Sequence, residues 1–172
     1  LREGGNAIDA AVAAAAVHCV VEPQMTAIGG DGFAIIAKED GSVSGYNGSG
    51  RAPEALSTAD LLAEGFTRVE PKSAHAVTVP GVVRSWEKLL VDHGTMGFDR
   101  LLKSAIRYAE EGFVVAPRVA FDWNLAADEL VQQGGGASHY LKDGKAYETG
   151  DVVKLPNLAK TLKAIAAGGA DA

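Results

Sequence analysis

The strongest structural constraint in the sequence is an almost unbroken run of small and branched apolar residues from Ala7 to Val21. Asn6 precedes this run and Asp9 follows three residues later, which is typical of a helix N-terminus because both side chains can accept hydrogen bonds from free backbone amides. Glu22-Pro23 ends the pattern. We therefore predict a helix over about 7–21. Since it is apolar nearly all round, we expect it to lie inside a layer of the fold.

A β-hairpin flanked by two glycine-rich loops is predicted next. The apolar run 33–37 predicts a buried strand, and the Asp-Gly turn at 40–41 predicts that residues 43–46 return antiparallel to it. The glycine-rich segments 28–32 and 47–53 would then lie at the same end of the hairpin. That end is a candidate site.

The rest of the sequence favours helices. A capping pattern from Ser57 to Asp60 predicts a short helix that Gly65 ends. Longer helices are expected at about 82–92, 98–111, 117–132 and 157–167, with a strand at 74–79 and a small hairpin at 140–147. Strands in the first third followed mostly by helices indicate an α+β fold with antiparallel pairing rather than a regular βαβ alternation.

Composition excludes several classes of protein. The 172 residues are 47% hydrophobic and 22% charged, which is enough apolar material for a core. The net charge of -6, without a run of Lys or Arg, argues against nucleic-acid binding. The longest apolar stretch is too short to span a membrane. A single cysteine, Cys19, and four scattered histidines argue against an internal disulfide and a metal site.

The glycine-rich loop at 29–32 has two interpretations. Consecutive glycines can direct backbone amides at a phosphate, but such loops precede a helix, and here a strand is predicted to follow. The Gly-Lys-Ser/Thr sequence of a P-loop is also absent. We therefore expect no nucleotide and no other cofactor, and the alternative is that these glycines permit close backbone packing.

Arg51 is the best ligand-binding candidate from the residues alone. It lies on a loop that Ala52-Pro53 restrains, and a guanidinium held there can bind a carboxylate through two hydrogen bonds. Asn47 and Ser49 could add hydrogen bonds. The alternative is an ordinary surface arginine or one half of a structural ion pair. No set of nucleophile, base and orienting residue can be assembled, so no catalytic residue is predicted in this chain.

Several motifs of the chain resemble a known family when they are taken in order. They are the segments 4–14 (GGNAIDAAVAA), 21–23 (VEP), 28–33 (IGGDGF), 79–81 (VPG), 109–113 (AEEGF), 150–151 (GD) and 155–162 (LPNLAKTL). Together they resemble the large subunit of γ-glutamyltranspeptidases, and the resemblance covers essentially the whole chain.

This resemblance implies an N-terminal-nucleophile hydrolase with an αββα sandwich. In that family one precursor cuts itself before a threonine, and the freed threonine heads a small subunit and attacks the γ-glutamyl amide. The chain would then be part of one large subunit, with residues missing before Leu1 and after Ala172, and inactive without the small subunit. Its expected partners are that subunit and a γ-glutamyl small molecule. The compartment stays open between periplasmic or secreted and cytoplasmic.

The family also implies a role for the loop at 47–53. Its members bind the α-carboxylate of the glutamyl group with an arginine in an Arg-Glu-x-Ala-Pro motif. Aligning Ala52-Pro53 on that motif places Ser49 at the arginine's position and Arg51 two residues later, about 7 Å along an extended chain. We therefore expect Arg51 and Ser49 to bind substrate, and we expect the backbone of the loop to follow a different path from that of the family's motif.

With this departure from the motif, the segment 47–53 resembles that of a divergent, transpeptidase-like branch of the family. Two alternatives to a γ-glutamyltranspeptidase remain at this point. One is a related acylase of the same superfamily, of the cephalosporin or glutaryl type, and the other is a structural fragment without a catalytic role.

Overall fold

Helices predominate in the computed structural model, which describes residues 1–133 and 139–172. Two compact units are present: the first unit contains residues 1–27 and 89–172, and the second unit contains residues 28–88. The elements in chain order are α1 (Ala7–Val21), β1 (Gly32–Ala37), β2 (Val43–Gly48), α2 (Thr58–Ala63), α3 (Val82–His93), α4 (Phe98–Leu101), α5 (Lys103–Glu111), β3 (Phe113–Val114), α6 (Pro117–Gln133), β4 (Val152–Val153) and α7 (Pro156–Gly168).

Helix α1 has the predicted bounds and the predicted cap. The Asn6 side chain accepts hydrogen bonds from the backbone amides of Ile8 and Asp9, and the Asp9 carboxylate accepts one from the Asn6 amide. The expectation that the helix lies inside a layer is wrong for the described residues, because its buried apolar side chains follow one face. They are Val12, Ala16, Cys19 and Val20. Within the first unit the helix contacts α4 and α5.

The core of the first unit forms around α5, which contacts both α1 and α7. Small residues such as Ala105 and Ala109 are fully buried, and they allow these helices to approach closely. The single helix predicted over 98–111 is divided into α4 and α5 at Leu102, whose backbone ψ of -7° departs from the regular helical value. The Leu102 side chain is fully buried.

Two features of the first unit differ from the sequence prediction. The strands β3 and β4 pair antiparallel over two residues each, and strands this short show no periodicity in sequence. The hairpin predicted at 140–147 is reduced to one bridge between Lys142 and Lys145 around a tight turn, in which Asp143 and Gly144 both have positive φ.

The second unit is built on the predicted hairpin. Strands β1 and β2 pair antiparallel from Gly32 opposite Gly48 to Ala37 opposite Val43. The prediction that β1 is buried is wrong: alternate side chains are exposed, Phe33 by 69% and Ile35 by 82%. In the part of the chain that the structure describes, β2 is the partner of β1, and one face of the pair is uncovered.

The strand predicted at 74–79 is also absent. Residues Ala74–Ala76 form a short 3-10 helix, in which Ala76 donates to the Ser73 carbonyl, and no described strand pairs with this segment. The α+β class with an antiparallel hairpin is nevertheless confirmed. None of the described helices combines the length and hydropathy needed to cross a membrane.

Candidate functional site

The two glycine-rich loops lie side by side at the open end of the hairpin in the second unit. The register that places Gly32 opposite Gly48 brings the loop before β1 next to the loop after β2, as predicted. The loops are joined directly, because the Gly50 amide donates a hydrogen bond to Asp31 Oδ1 over 2.7 Å. The predicted ligand-binding segment is therefore anchored to the first glycine loop.

The chain immediately before α3 binds both loops. The Gly30 carbonyl accepts hydrogen bonds from the amides of Gly81 and Val82, over 3.0 and 2.9 Å. The Val79 amide donates to the Arg51 carbonyl over 2.9 Å. Val79, the last residue of the predicted strand 74–79, thus donates to the loop at 47–53 instead of pairing in a sheet, and Gly81 and Val82, which follow it, donate to the loop at 28–32.

Glycine is required at several of these contacts because neighbouring atoms leave no room for a side chain. A Cβ on Gly48 would overlap Ser85 Oγ, one on Gly50 would overlap the Val79 carbonyl oxygen, and one on Gly81 would overlap the Gly48 carbonyl oxygen. Ser85 is 1% exposed and donates its hydroxyl to the Gly81 carbonyl over 2.8 Å. Of the glycines at 29–32, for which close packing was predicted, Gly32 fits that interpretation because a Cβ there would come within 2.7 Å of Ser85 Cβ, whereas a Cβ on Gly29 would meet nothing within 4 Å.

Ser49 is fixed by its neighbour Asn47. Both the amide and the hydroxyl of Ser49 donate to Asn47 Oδ1, over 3.0 and 2.8 Å. A hydroxyl engaged in this way presents only its lone pairs to a ligand. Ser49 can therefore donate to a bound carboxylate only after its hydroxyl rotates away from Asn47.

Arg51 combines a fixed backbone with a free side chain. Its carbonyl accepts the bond from Val79 described above, and the residue is exposed. Among residues 1–133 and 139–172, its guanidinium has neither a hydrogen-bond partner nor an ion-pair partner. The alternative of a structural ion pair is therefore not realised in the described residues, and the cation is available to an anionic ligand.

Sequence reasoning missed the contribution of Asp31. The position of Asp31 in the sequence could have indicated it, because Asp31 immediately precedes β1 in the loop that was predicted to lie beside residues 47–53. No group of three His, Cys, Asp or Glu side chains within the described chain has the arrangement of a metal site. The described part of this region thus offers one unpaired cation, fixed backbone and hydroxyl or amide groups, which together suit binding of a small carboxylate.

Comparison with known proteins covers the whole chain. A family model described as gamma-glutamyltranspeptidase matches residues 1–172. The oxamate amidohydrolase proenzyme of Klebsiella pneumoniae is 38% identical over 99% of this chain and 33% of its own length. The glutathione hydrolase proenzyme of Escherichia coli is 31% identical over 99% of this chain and 30% of its own length. The acylase ACY 1 proenzyme of a Pseudomonas strain is 35% identical over 100% of this chain and 32% of its own.

Solved structures show the same similarity. The gamma-glutamyltranspeptidase of Helicobacter pylori matches 96% of this chain with a TM-score of 0.88 and 32% identity, over 49% of its own chain. The cephalosporin acylase of Bacillus halodurans matches 96% of this chain with a TM-score of 0.88 and 36% identity, over 32% of its own chain. The chain spans about a third of the length of the curated relatives that it matches.

Proposed function

The chain belongs to the gamma-glutamyltranspeptidase family, and we propose on that basis that it is part of the large subunit of an enzyme that hydrolyses or transfers γ-glutamyl groups. The structural neighbours confirm the fold expected of this family, that of an N-terminal-nucleophile hydrolase. The share of the relatives that the chain spans supports its assignment to a portion of the large subunit.

One observation carries the proposal for substrate binding: the unpaired guanidinium of Arg51 on a loop whose backbone is fixed. The α-carboxylate of a γ-glutamyl group is an anion that a guanidinium can bind through two parallel hydrogen bonds. Holding that carboxylate orients the far end of the acyl group, so that the γ-amide is presented in one direction. Ser49 would add a hydrogen bond after its hydroxyl rotates.

The nucleophile of this proposed enzyme lies outside the chain. We propose that it is the threonine at the head of a small subunit cut from the same precursor, with its own α-amino group as the base. The threonine hydroxyl adds to the amide carbonyl, the amine leaves with the proton, and water or an amino acid then releases the acyl group. In this scheme the described residues bind and orient the substrate but take no part in bond making.

An acylase is the second candidate function, and the position of Arg51 favours it. Sequence identity does not separate the two functions, because the acylase ACY 1 and the glutathione hydrolase-like YwrD proenzyme of Bacillus subtilis are both 35% identical to this chain. Arg51, however, is displaced by two residues from the position implied by the family motif. A displaced cation suits an acyl group whose carboxylate is bound differently from that of a γ-glutamyl group. A glutaryl group keeps its carboxylate at the same number of bonds from the scissile amide but lacks the α-amino group, whereas oxamate carries its carboxylate directly on the amide carbonyl.

The test uses the full-length precursor, because the proposed nucleophile is not in this chain. After self-cleavage, hydrolysis is measured with γ-glutamyl-p-nitroanilide and with glutaryl-p-nitroanilide, which differ by the α-amino group of the acyl part. Hydrolysis of the γ-glutamyl compound supports the first proposal. Hydrolysis of the glutaryl compound alone supports the acylase, and a precursor that does not cleave itself contradicts both.

The role of Arg51 is tested with Arg51→Ala in the same protein. Loss of a charged hydrogen-bonding pair predicts a KM raised roughly tenfold to a hundredfold with little change in thermal stability. Arg68→Ala is the matched control, because Arg68 is an exposed arginine of the same unit that pairs with Glu70. An unchanged KM in the Arg51 variant contradicts the proposed role.

A further inference from the structure

Asp31 occupies an unusual position relative to the proposed substrate-binding residues. Its Oδ1 accepts a hydrogen bond from the amide of Gly50 over 2.7 Å, although the two residues are 19 positions apart in the sequence. Gly50 lies between Ser49 and Arg51. A carboxylate that accepts a backbone amide makes a charge-assisted hydrogen bond, which is stronger than a bond between neutral groups. The bond therefore fixes the centre of the segment 49–51 to the loop before β1.

The bonds on either side of Gly50 show what Asp31 adds. The Ser49 amide is held by Asn47 within the same loop, and the Arg51 carbonyl is held by the Val79 amide. Asp31 supplies the partner for the peptide group between them. Without it the Ser49–Gly50 amide loses its hydrogen-bond acceptor next to glycine, the residue type with the greatest backbone freedom, and in the described part of the chain only the close packing of Gly50 against the Val79 carbonyl restrains that peptide group.

The charge of Asp31 argues against direct contact with the carboxylate of the proposed substrate, because that carboxylate would be repelled by a second one at the same place. The protonated α-amino group of a γ-glutamyl compound would be attracted instead, but Asp31 Oδ1 is already engaged with the Gly50 amide. The contribution of Asp31 to binding of the carboxylate is therefore through the backbone that carries Arg51.

We propose that Asp31 is a positioning residue that holds segment 49–51 in the conformation in which Arg51 receives the carboxylate of the substrate. The identity of that ligand rests on the proposed function. The restraint on segment 49–51 does not rest on the proposed function, because it follows from the Gly50–Asp31 hydrogen bond alone.

The experiment compares Asp31→Ala with Asp31→Asn in the full-length protein. Alanine removes the acceptor, whereas asparagine keeps an oxygen at the same position without the charge. Hydrogen–deuterium exchange of a peptide covering residues 47–53 is expected to accelerate roughly tenfold to a hundredfold in the alanine variant and much less in the asparagine variant. The KM for the hydrolysed p-nitroanilide, γ-glutamyl or glutaryl, is expected to rise about fivefold to twentyfold in the alanine variant at nearly constant kcat.

Asp40→Ala is the matched control. Asp40 makes the same kind of bond at the other end of the hairpin, where its Oδ1 accepts the Ser42 amide over 2.8 Å. Its loss is expected to accelerate exchange around residues 38–42 and to leave KM unchanged.

The outcomes separate this proposal from the proposed function. Unchanged exchange at residues 47–53 in Asp31→Ala overturns the positioning role whatever the enzyme hydrolyses. Faster exchange with an unchanged KM, in an enzyme whose KM responds to Arg51→Ala, overturns it as well. Failure of the wild-type enzyme to hydrolyse either compound contradicts the proposed function, and the exchange result then still decides whether Asp31 holds the segment.

Discussion

The two compact units of this chain are stabilised by different means. Of the buried apolar side chains in the described residues, all except Val82 and Trp86 belong to the first unit. In the second unit close contacts form instead at glycines, where a Cβ would overlap a neighbouring atom: Ser85 Oγ for Gly48, and backbone carbonyl oxygens for Gly50 and Gly81. The first unit is thus a helical core, whereas the second holds its loops with glycines and hydrogen bonds. The proposed substrate-binding residues lie in the second.

This difference has a physical reason. A two-stranded hairpin cannot bury both faces, and Phe33 and Ile35 on β1 are largely exposed. Hydrogen bonds and close contacts restrain a loop even where little apolar area is buried, because they have narrow ranges of distance and angle. A ligand-binding loop needs accurate placement more than it needs burial, so the second unit is suited to a site.

Removal of a large core side chain is the strongest way to test this contrast. Trp123 on α6 is 2% exposed and its ring lies 5.3 Å from that of Tyr147. Trp123→Ala is expected to lower the free energy of unfolding by about 3–5 kcal/mol, because it leaves a large cavity. Urea unfolding measures this. Leu125→Ala on the same helix is the control: Leu125 is 71% exposed, so a change within about 0.5 kcal/mol is expected. Equal losses for both variants would contradict a contribution of the buried Trp123 side chain to the core.

The buried charge of Asp9 gives the first unit a pH dependence. Asp9 is 1% exposed and accepts the amides of Asn6, Thr95 and Met96 and the Thr95 hydroxyl. Burial alone would raise the pKa of this carboxyl, but the hydrogen bonds from Thr95, Asn6 and Met96 outweigh it and lower the pKa from 3.8 to about 2.

The sign of the effect follows from linkage. Because the folded pKa lies below the unfolded value, ionised Asp9 stabilises the fold fully above about pH 4, and this contribution of about 2 kcal/mol is lost as the pH falls to about 2. Asp9→Asn should therefore be less stable than wild type at pH 5, with a difference that shrinks towards pH 2. Urea unfolding across this range measures it, and a constant difference would show that Asp9 is not the titrating group.

Much of the first unit could be predicted from the sequence because its signals are local. The cap of α1 is contained in four residues, and the apolar run that follows Asn6 predicts the length of the helix.

The strand predicted at 74–79 in the second unit shows the limit of such reasoning. Alternation predicts a strand only where a partner is available, and here the Val79 amide bonds to Arg51 instead.

The candidate site was predicted in position but not in mechanism. The turn at Asp40-Gly41 implied that both loops lie at one end of the hairpin, and the register of β1 and β2 confirms it. The bond between Asp31 and Gly50 was missed, since it joins residues far apart in sequence through a backbone amide, which leaves no pattern in residue types. The close approach of Gly81 to the Gly48 carbonyl oxygen was missed for the same reason.

A single added methyl group tests the second unit most directly. Gly48 and Gly45 both lie on β2, but a Cβ at Gly48 would overlap Ser85 Oγ and come within 2.7 Å of the Gly32 carbonyl oxygen, whereas one at Gly45 meets nothing within 4 Å. Gly48→Ala is therefore expected to destabilise the hairpin by about 1–3 kcal/mol, because α3 or β1 must shift to accept the methyl group. Gly45→Ala should be neutral or slightly stabilising, since alanine loses less backbone entropy on folding. Hydrogen–deuterium exchange of β1 and β2 measures both variants. If they behave alike, close glycine packing does not hold the second unit together, and the contrast with the side-chain core of the first unit fails.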